Sequence, residues 1–151
     1  MLERRAVRDH RGHHPWRFIG HFEDWTIEFT DNLPTGRWGL TRHRDKTILI
    51  QSGLDQAERR STLAHETGHM LRGPRSICRR LYEESLVERQ AARLLAPSVR
   101  RIGHALAWSQ ADHEAAAEVL WIDERMLHAR LSTLAPAERA WLDEQLALIL
   151  V

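Results

Sequence analysis

His65-Glu66-Thr67-Gly68-His69 constrains this chain more than any other segment. Imidazoles four positions apart on a helix lie about 40° apart around the axis and one turn above each other, so they point the same way. They can then take two positions of one tetrahedral zinc ion. Glu66, turned about 100° from His65, flanks such an ion instead of ligating it. From there it can accept a proton from a zinc-bound water, whose pKa the metal lowers to about 7. The helix that this requires is written into the flanks. Asp55 with Glu58 three residues on has the form of an N-cap box, which starts a helix near Gln56. Gly73-Pro74 stops it at Arg72. Leu63, Ala64, Met70 and Leu71 give the helix an apolar side and leave the histidine side free, and Gly68 keeps the space beside the histidines small.

A zinc hydrolase needs a third protein ligand and keeps the fourth position for water. The periodicity predicts a second helix from about Leu81 to Leu95, closed by Pro97, and it offers Glu83, Glu84 and Glu88. Val87, Ala91 and Leu95 form its buried stripe, with Glu84 in the middle, Glu88 about 40° off it and Glu83 on the flank. A carboxylate centred on an apolar face is costly unless a cation meets it, which selects Glu84. Glu88 stays open as the alternative, and the competing reading of Glu84 is a helix turned differently, with Glu84 at the surface and paired to an arginine. His104, His113 and His128 each stand alone in an ordinary helical pattern.

The rest of the chain reads as α+β. Trp25-Thr26-Ile27-Glu28-Phe29 alternates with period two, as a half-buried strand should. Trp38–Thr41 is a weaker strand and Thr47–Gln51 a β-branched one. The turn-rich connections 31–36 and 43–46 predict a three-stranded antiparallel meander packed on the helix that carries His65. Helical segments follow at Val99–Trp108, Asp112–Leu120, Glu124–Leu131 and from Pro136 towards Leu150. Residues 1–15, basic and holding His10, His13 and His14, read as a flexible N-terminus. Residues 16–97 read as the core that carries the site, and 98–151 as a helical part of the same domain.

Composition limits the classes open to it. A chain of 151 residues can bury a core without staples, and 42% apolar with 28% charged residues is a globular balance. The apolar runs are too short for a membrane span, and no apolar export segment follows the charged N-terminus. The one cysteine, Cys78, allows no internal disulfide and fits a reducing, cytoplasmic setting as a buried or half-buried thiol. A net charge of +1 argues against a strong polyanion binder. Eight arginines between Arg72 and Arg101 against three glutamates could still face nucleic acid or an acidic partner; a solvated helix surface is the plainer reading.

Thr62-Leu63-Ala64-His65-Glu66-Thr67-Gly68-His69, then Glu84, then Ala91-Ala92-Arg93-Leu94-Leu95-Ala96-Pro97, resembles the ImmA/IrrE family of metallopeptidases. That family has a "LAHExGH" helix, and a glutamate ligand thirteen residues before the end of an "AAxLLxP" run. Counting back from Pro97 lands on Glu84. Val87 and Ala96 depart from the usual residues without touching the chemistry. The resemblance covers residues 47–97. It implies a zincin-like fold, with His65, His69 and Glu84 on Zn2+ and Glu66 as general base. It also implies a regulatory protein substrate, since members commonly cleave a helix-turn-helix repressor encoded beside them in phages, mobile elements or stress-response loci. In zincins a peptide pairs with an exposed strand beside the active-site helix, and Thr47–Gln51 is the candidate.

Residues 114–131 have the cadence of helix, tight turn, helix, like the DNA-reading unit of a repressor. Trp121 stands where such a turn usually has glycine, and the second helix is not strongly basic. Trp108, Trp121 and Trp141 read more simply as anchors of a helical core. Two functions from different classes therefore follow. The leading one is a zinc endopeptidase acting on one specific protein. The alternative is a DNA- or protein-binding regulator, or the toxin of a two-gene system, with a structural or vestigial metal site.

Overall fold

The computed structural model describes residues 13–149. They divide into two compact units, residues 14–91 and the residues from 92 onward together with His13. The first unit opens with a short helix, α1 (Pro15–Ile19), which starts inside the stretch expected to be flexible. His14 caps it, Nδ1 accepting from the Arg17 N–H at 3.3 Å, and proline suits a first turn whose N–H has no partner. Residues 1–12 of that stretch, including His10, lie outside the described residues.

Three strands follow: β1 (Thr26–Thr30), β2 (Gly39–Arg42) and β3 (Thr47–Gln51). The expected antiparallel meander is corrected here. The order is β1-β3-β2, with β3 parallel to β1 (Ile27 opposite Ile48) and antiparallel to β2 (Thr41 opposite Ile48). The reason is visible in β3, whose Ile48-Leu49-Ile50 run is apolar on both faces, the pattern of a strand buried in a sheet centre. Residues 31–46 are a long enough connection for β1 and β3 to run parallel. β3 therefore has no free edge, and its proposed role in pairing with a peptide fails.

Helix α2 (Gln56–Arg72) begins at the expected capping box: the Asp55 side chain accepts from the Glu58 N–H and the Glu58 side chain from the Asp55 N–H, both at 2.8 Å. It ends at Gly73, whose φ of 79° a residue with a Cβ adopts only under strain. Ile48, Ile50, Leu63, Met70 and Ile19 form the core between sheet and helix, with Phe18, Phe22, Trp25, Ile27 and Leu54 around it. Each such side chain stabilises by about 1.5–3 kcal/mol when fully buried. A 3₁₀ turn (Ile77–Arg79) leads into α3 (Arg80–Leu95), on which Val87, Ala91 and Leu95 are buried as the wheel requires. Cys78, expected to be at least half-buried, is exposed in that 3₁₀ turn, where no core forms around it.

The second unit comprises the end of α3, α4 (Val99–Trp108), α5 (His113–Leu120), α6 (Glu124–Ser132) and α7 (Pro136–Ile149). α4 packs on α5 and α7, and α5 on α6. Gly103 lets α4 approach Trp141, since a Cβ there would meet the indole ring at 3.0 Å. Of the three tryptophans expected as core anchors, Trp141 alone does that work. Trp108 and Trp121 are exposed, because each sits at a helix end where the chain turns away. No helix among the described residues is long and apolar enough to cross a membrane.

Candidate metal centre

The helical register of α2 sets His65 and His69 side by side, their ring centroids 4.9 Å apart and Nε2 atoms 3.1 Å apart. α3 brings Glu84 to both: Oε2 lies 3.0 Å from His65 Nε2 and Oε1 3.3 Å from His69 Nε2. Donor atoms of these three residues all lie within 4.8 Å of one another, and among the described residues no other group of three or more His, Cys, Asp or Glu is so arranged. Ligands about 2.0–2.1 Å from a tetrahedral zinc are separated by about 3.3 Å, so the donors are already spaced as three of its vertices. Two imidazoles and one carboxylate are a donor set that suits a divalent ion, and the residues present fit one. The carboxylate in this group is that of Glu84, not Glu88. Glu83 is buried and accepts from Arg72 Nε at 2.6 Å.

The close approach of the two helices depends on Gly68. A Cβ there would lie 2.8 Å from Val87 Cγ1, so any larger residue pushes α3, and Glu84 with it, away from the histidines.

Glu66 lies outside the donor set. It is buried, and the Thr41 hydroxyl is 2.7 Å from its Oε2 and 3.0 Å from its backbone carbonyl. Gly39, two residues earlier on β2, faces the same carboxylate: a Cβ there would come within 2.7 Å of Glu66 Cγ and Oε1. A strand's period of two puts Gly39 and Thr41 on one face, so β2 leaves room for the carboxylate with one residue and holds it with the other. Burial raises the Glu66 pKa above the ordinary carboxylate value, against the pull of His65 and the Thr41 hydrogen bond.

The remaining groups are tuned in opposite directions. Burial, helped by the His65 and Arg75 charges, lowers His69 to about 4, which keeps it neutral near pH 7. At His65 burial works the same way, but the Glu84 hydrogen bond and the Glu66, Glu84 and Glu88 carboxylates outweigh it and raise the pKa. The His65 hydrogen bond, with His69 and Arg75, lowers Glu84 to about 2 against its burial. Arg75 donates to His69 Nδ1 and pairs with Glu84 Oε1, both at 2.8 Å.

Thr41, Gly39 and Arg75 escape a reading of the sequence. Gly39 and Thr41 carry a faint signal, a small and a hydroxyl residue two apart on a strand; Arg75, in an aperiodic connection, carries none. Among the described residues, the histidines outside the motif do not join this centre: His113 Nδ1 and His128 Nε2 lie 2.9 Å apart, with Glu124 Oε1 3.6 Å from His128 Nε2.

The model of the IrrE N-terminal-like domain, a peptidase family, matches residues 28–140. No curated protein and no solved structure matches the chain at a significant level. The match takes in β2, β3, the end of β1, the α2 helix and Glu84, and covers well over half of the chain, so this protein belongs to the IrrE N-terminal-like family of metallopeptidase domains.

Proposed function

We propose that the chain is a zinc-dependent endopeptidase in which His65, His69 and Glu84 hold the metal and Glu66 is the general base. The observation that carries this reading is the division of labour on α2. Two histidines and Glu84 converge, while the buried Glu66 stands beside them, excluded from the donor set and held by Thr41. Bound zinc supplies Lewis acidity, lowering the pKa of water to about 7 and polarising a carbonyl. Glu66, with its pKa raised by burial, takes the proton of the attacking water and returns it to the amide nitrogen as the C–N bond breaks. Thr41 holds Oε2 and so turns Oε1 towards the space that Gly39 leaves open.

The substrate edge follows from the sheet order. Since β3 is paired on both sides, the strand available beside α2 is β2, whose side opposite β3 has no partner strand among the described residues. An extended peptide added there lies next to Gly39 and Thr41, hence next to Glu66. That the substrate is one specific protein, a helix-turn-helix repressor, rests on the resemblance to the ImmA/IrrE family, and a cytoplasmic setting accords with that substrate. The test is to incubate the zinc-loaded chain with the helix-turn-helix protein encoded beside its own gene and read cleavage by intact-mass spectrometry. One new N-terminus with wild type and none with Glu66→Gln is expected. Equal cleavage by both sinks the assignment of the base.

The DNA-binding alternative finds little support in the second unit. Trp121 does adopt the left-handed turn conformation (φ 59°) where repressors place glycine. On α6, however, Arg130 is fully buried against Glu138 and the Ala96 and Pro97 carbonyls, which leaves Arg125 as the exposed arginine of that helix. One cation is a poor basis for phosphate contacts.

A further inference from the structure

The connection from α2 to α3 presents an apolar surface that nothing in the described fold covers. Ile77 is 92% exposed and Leu81 87%, with Tyr82 and Leu71 exposed beside them in sequence. All seven residues from Ser76 to Tyr82 are exposed. The segment is clamped at both flanks: Arg72 pairs with Glu83 at 2.6 Å and Arg75 with Glu84 at 2.8 Å, both acids lying near the start of α3. Apolar side chains on a clamped segment cannot bury themselves by local collapse, and a contiguous exposed apolar patch marks a binding surface. Arg79 and Arg80 interleave the apolar residues, and residues 71–82 contain no acidic side chain. Arg75, two residues before Ile77, touches both Glu84 and His69.

We infer that residues 77–82 form a docking site for an acidic amphipathic segment of a protein. Its apolar face covers Ile77, Leu81 and Tyr82, and its carboxylates meet Arg79 and Arg80. A duplex of nucleic acid would satisfy the arginines and leave the apolar side chains against phosphates, so the combination selects a peptide. As a substrate-docking surface the site rests on the peptidase reading above, since it begins at the rim of the metal centre; as a binding surface it stands alone.

The test uses a fluorescein-labelled synthetic helix with leucines along one face flanked by glutamates, a lysine counterpart and a DNA duplex. Binding to the full chain is followed by anisotropy, with zinc content and circular dichroism as controls. The glutamate helix is expected to bind wild type about tenfold more tightly than the lysine helix, and Arg79→Glu/Arg80→Glu is expected to reverse that preference. Ile77→Ser/Leu81→Ser should weaken the glutamate helix about tenfold while zinc is retained. Absence of binding, binding indifferent to both variants, or a preference for the duplex that survives Ile77→Ser/Leu81→Ser overturns the proposal. If the wild type takes up no zinc yet binds the helix in this pattern, the peptidase reading fails and the docking site stands.

Discussion

At the scale of single residues, the chemistry turns on what distinguishes Glu66 from Glu84. Both are glutamates near the same histidines, but one is held by a strand and the other by the imidazoles themselves. Glu66→Gln is expected to lower peptide cleavage by about 10²–10⁴-fold while zinc content stays at wild-type level, because it removes a proton acceptor and no ligand. Thr41→Val removes the hydroxyl that orients Glu66 and should lower kcat by about tenfold with KM and zinc content little changed. Steady-state kinetics with parallel metal analysis checks both; zinc loss in either variant would place the altered residue among the ligands. The His65–His69 pair was legible in the sequence because its spacing is a local helical property. Glu84 was legible because a carboxylate interrupts an apolar stripe. Thr41 and Arg75 were not, since their roles arise only when strand and loop fold over the helix, contacts that no period encodes.

At the scale of elements, the centre is an α2–α3 crossing held close by one glycine. Gly68→Ala introduces a methyl 2.8 Å from Val87 Cγ1, and overpacking of this kind costs about 1–3 kcal/mol. It should also weaken zinc binding, because Glu84 rides on α3 one turn before Val87. Adding Val87→Ala to Gly68→Ala is expected to restore much of the zinc affinity, measured by competition with a chelating dye. Failure of the rescue would mean that the helices do not meet through this contact. Most element boundaries followed from capping and periodicity, with α2 the plainest case. Strand order did not, although Ile48-Leu49-Ile50 carried the signal of a central strand. Turn-rich connections suggested hairpins, and the long connection of residues 31–46 overrode them. The exposed tryptophans at two helix ends failed for a related reason: size alone does not say which side of a helix end is covered.

At the scale of the whole molecule, the two units are stabilised by different devices. In the unit from residue 92 onward, the fully buried Arg130 pairs with Glu138 Oε1 at 2.7 Å and donates to the Ala96 carbonyl at 2.8 Å. Glu138→Ala strands that charge and is expected to cost about 3 kcal/mol in urea unfolding. The Arg130 hydrogen bond, aided by the Ala135 N–H, holds the Glu138 carboxyl down to about 2 against an ordinary 4.5. Its folded pKa is below the unfolded one, so its stabilisation is complete above about 4.5 and is lost as pH falls towards about 2. Glu138→Gln should flatten that acid limb; an unchanged limb would assign it to other carboxylates. In the unit of residues 14–91 a metal held by His65, His69 and Glu84 would be the staple, since those residues sit on two helices. Zinc at about a hundred times its Kd should add about 2.7 kcal/mol, so a chelator is expected to lower the Tm of the wild type and leave that of His65→Ala unmoved. The central claim, that His65, His69 and Glu84 hold a catalytic zinc, is tested most directly by zinc content per chain in wild type, His65→Ala, Glu84→Ala and Glu88→Ala, read by elemental mass spectrometry. One zinc in wild type and Glu88→Ala, with loss in the other two, is the predicted result; no zinc in wild type purified in its presence, or full retention in Glu84→Ala, would contradict it.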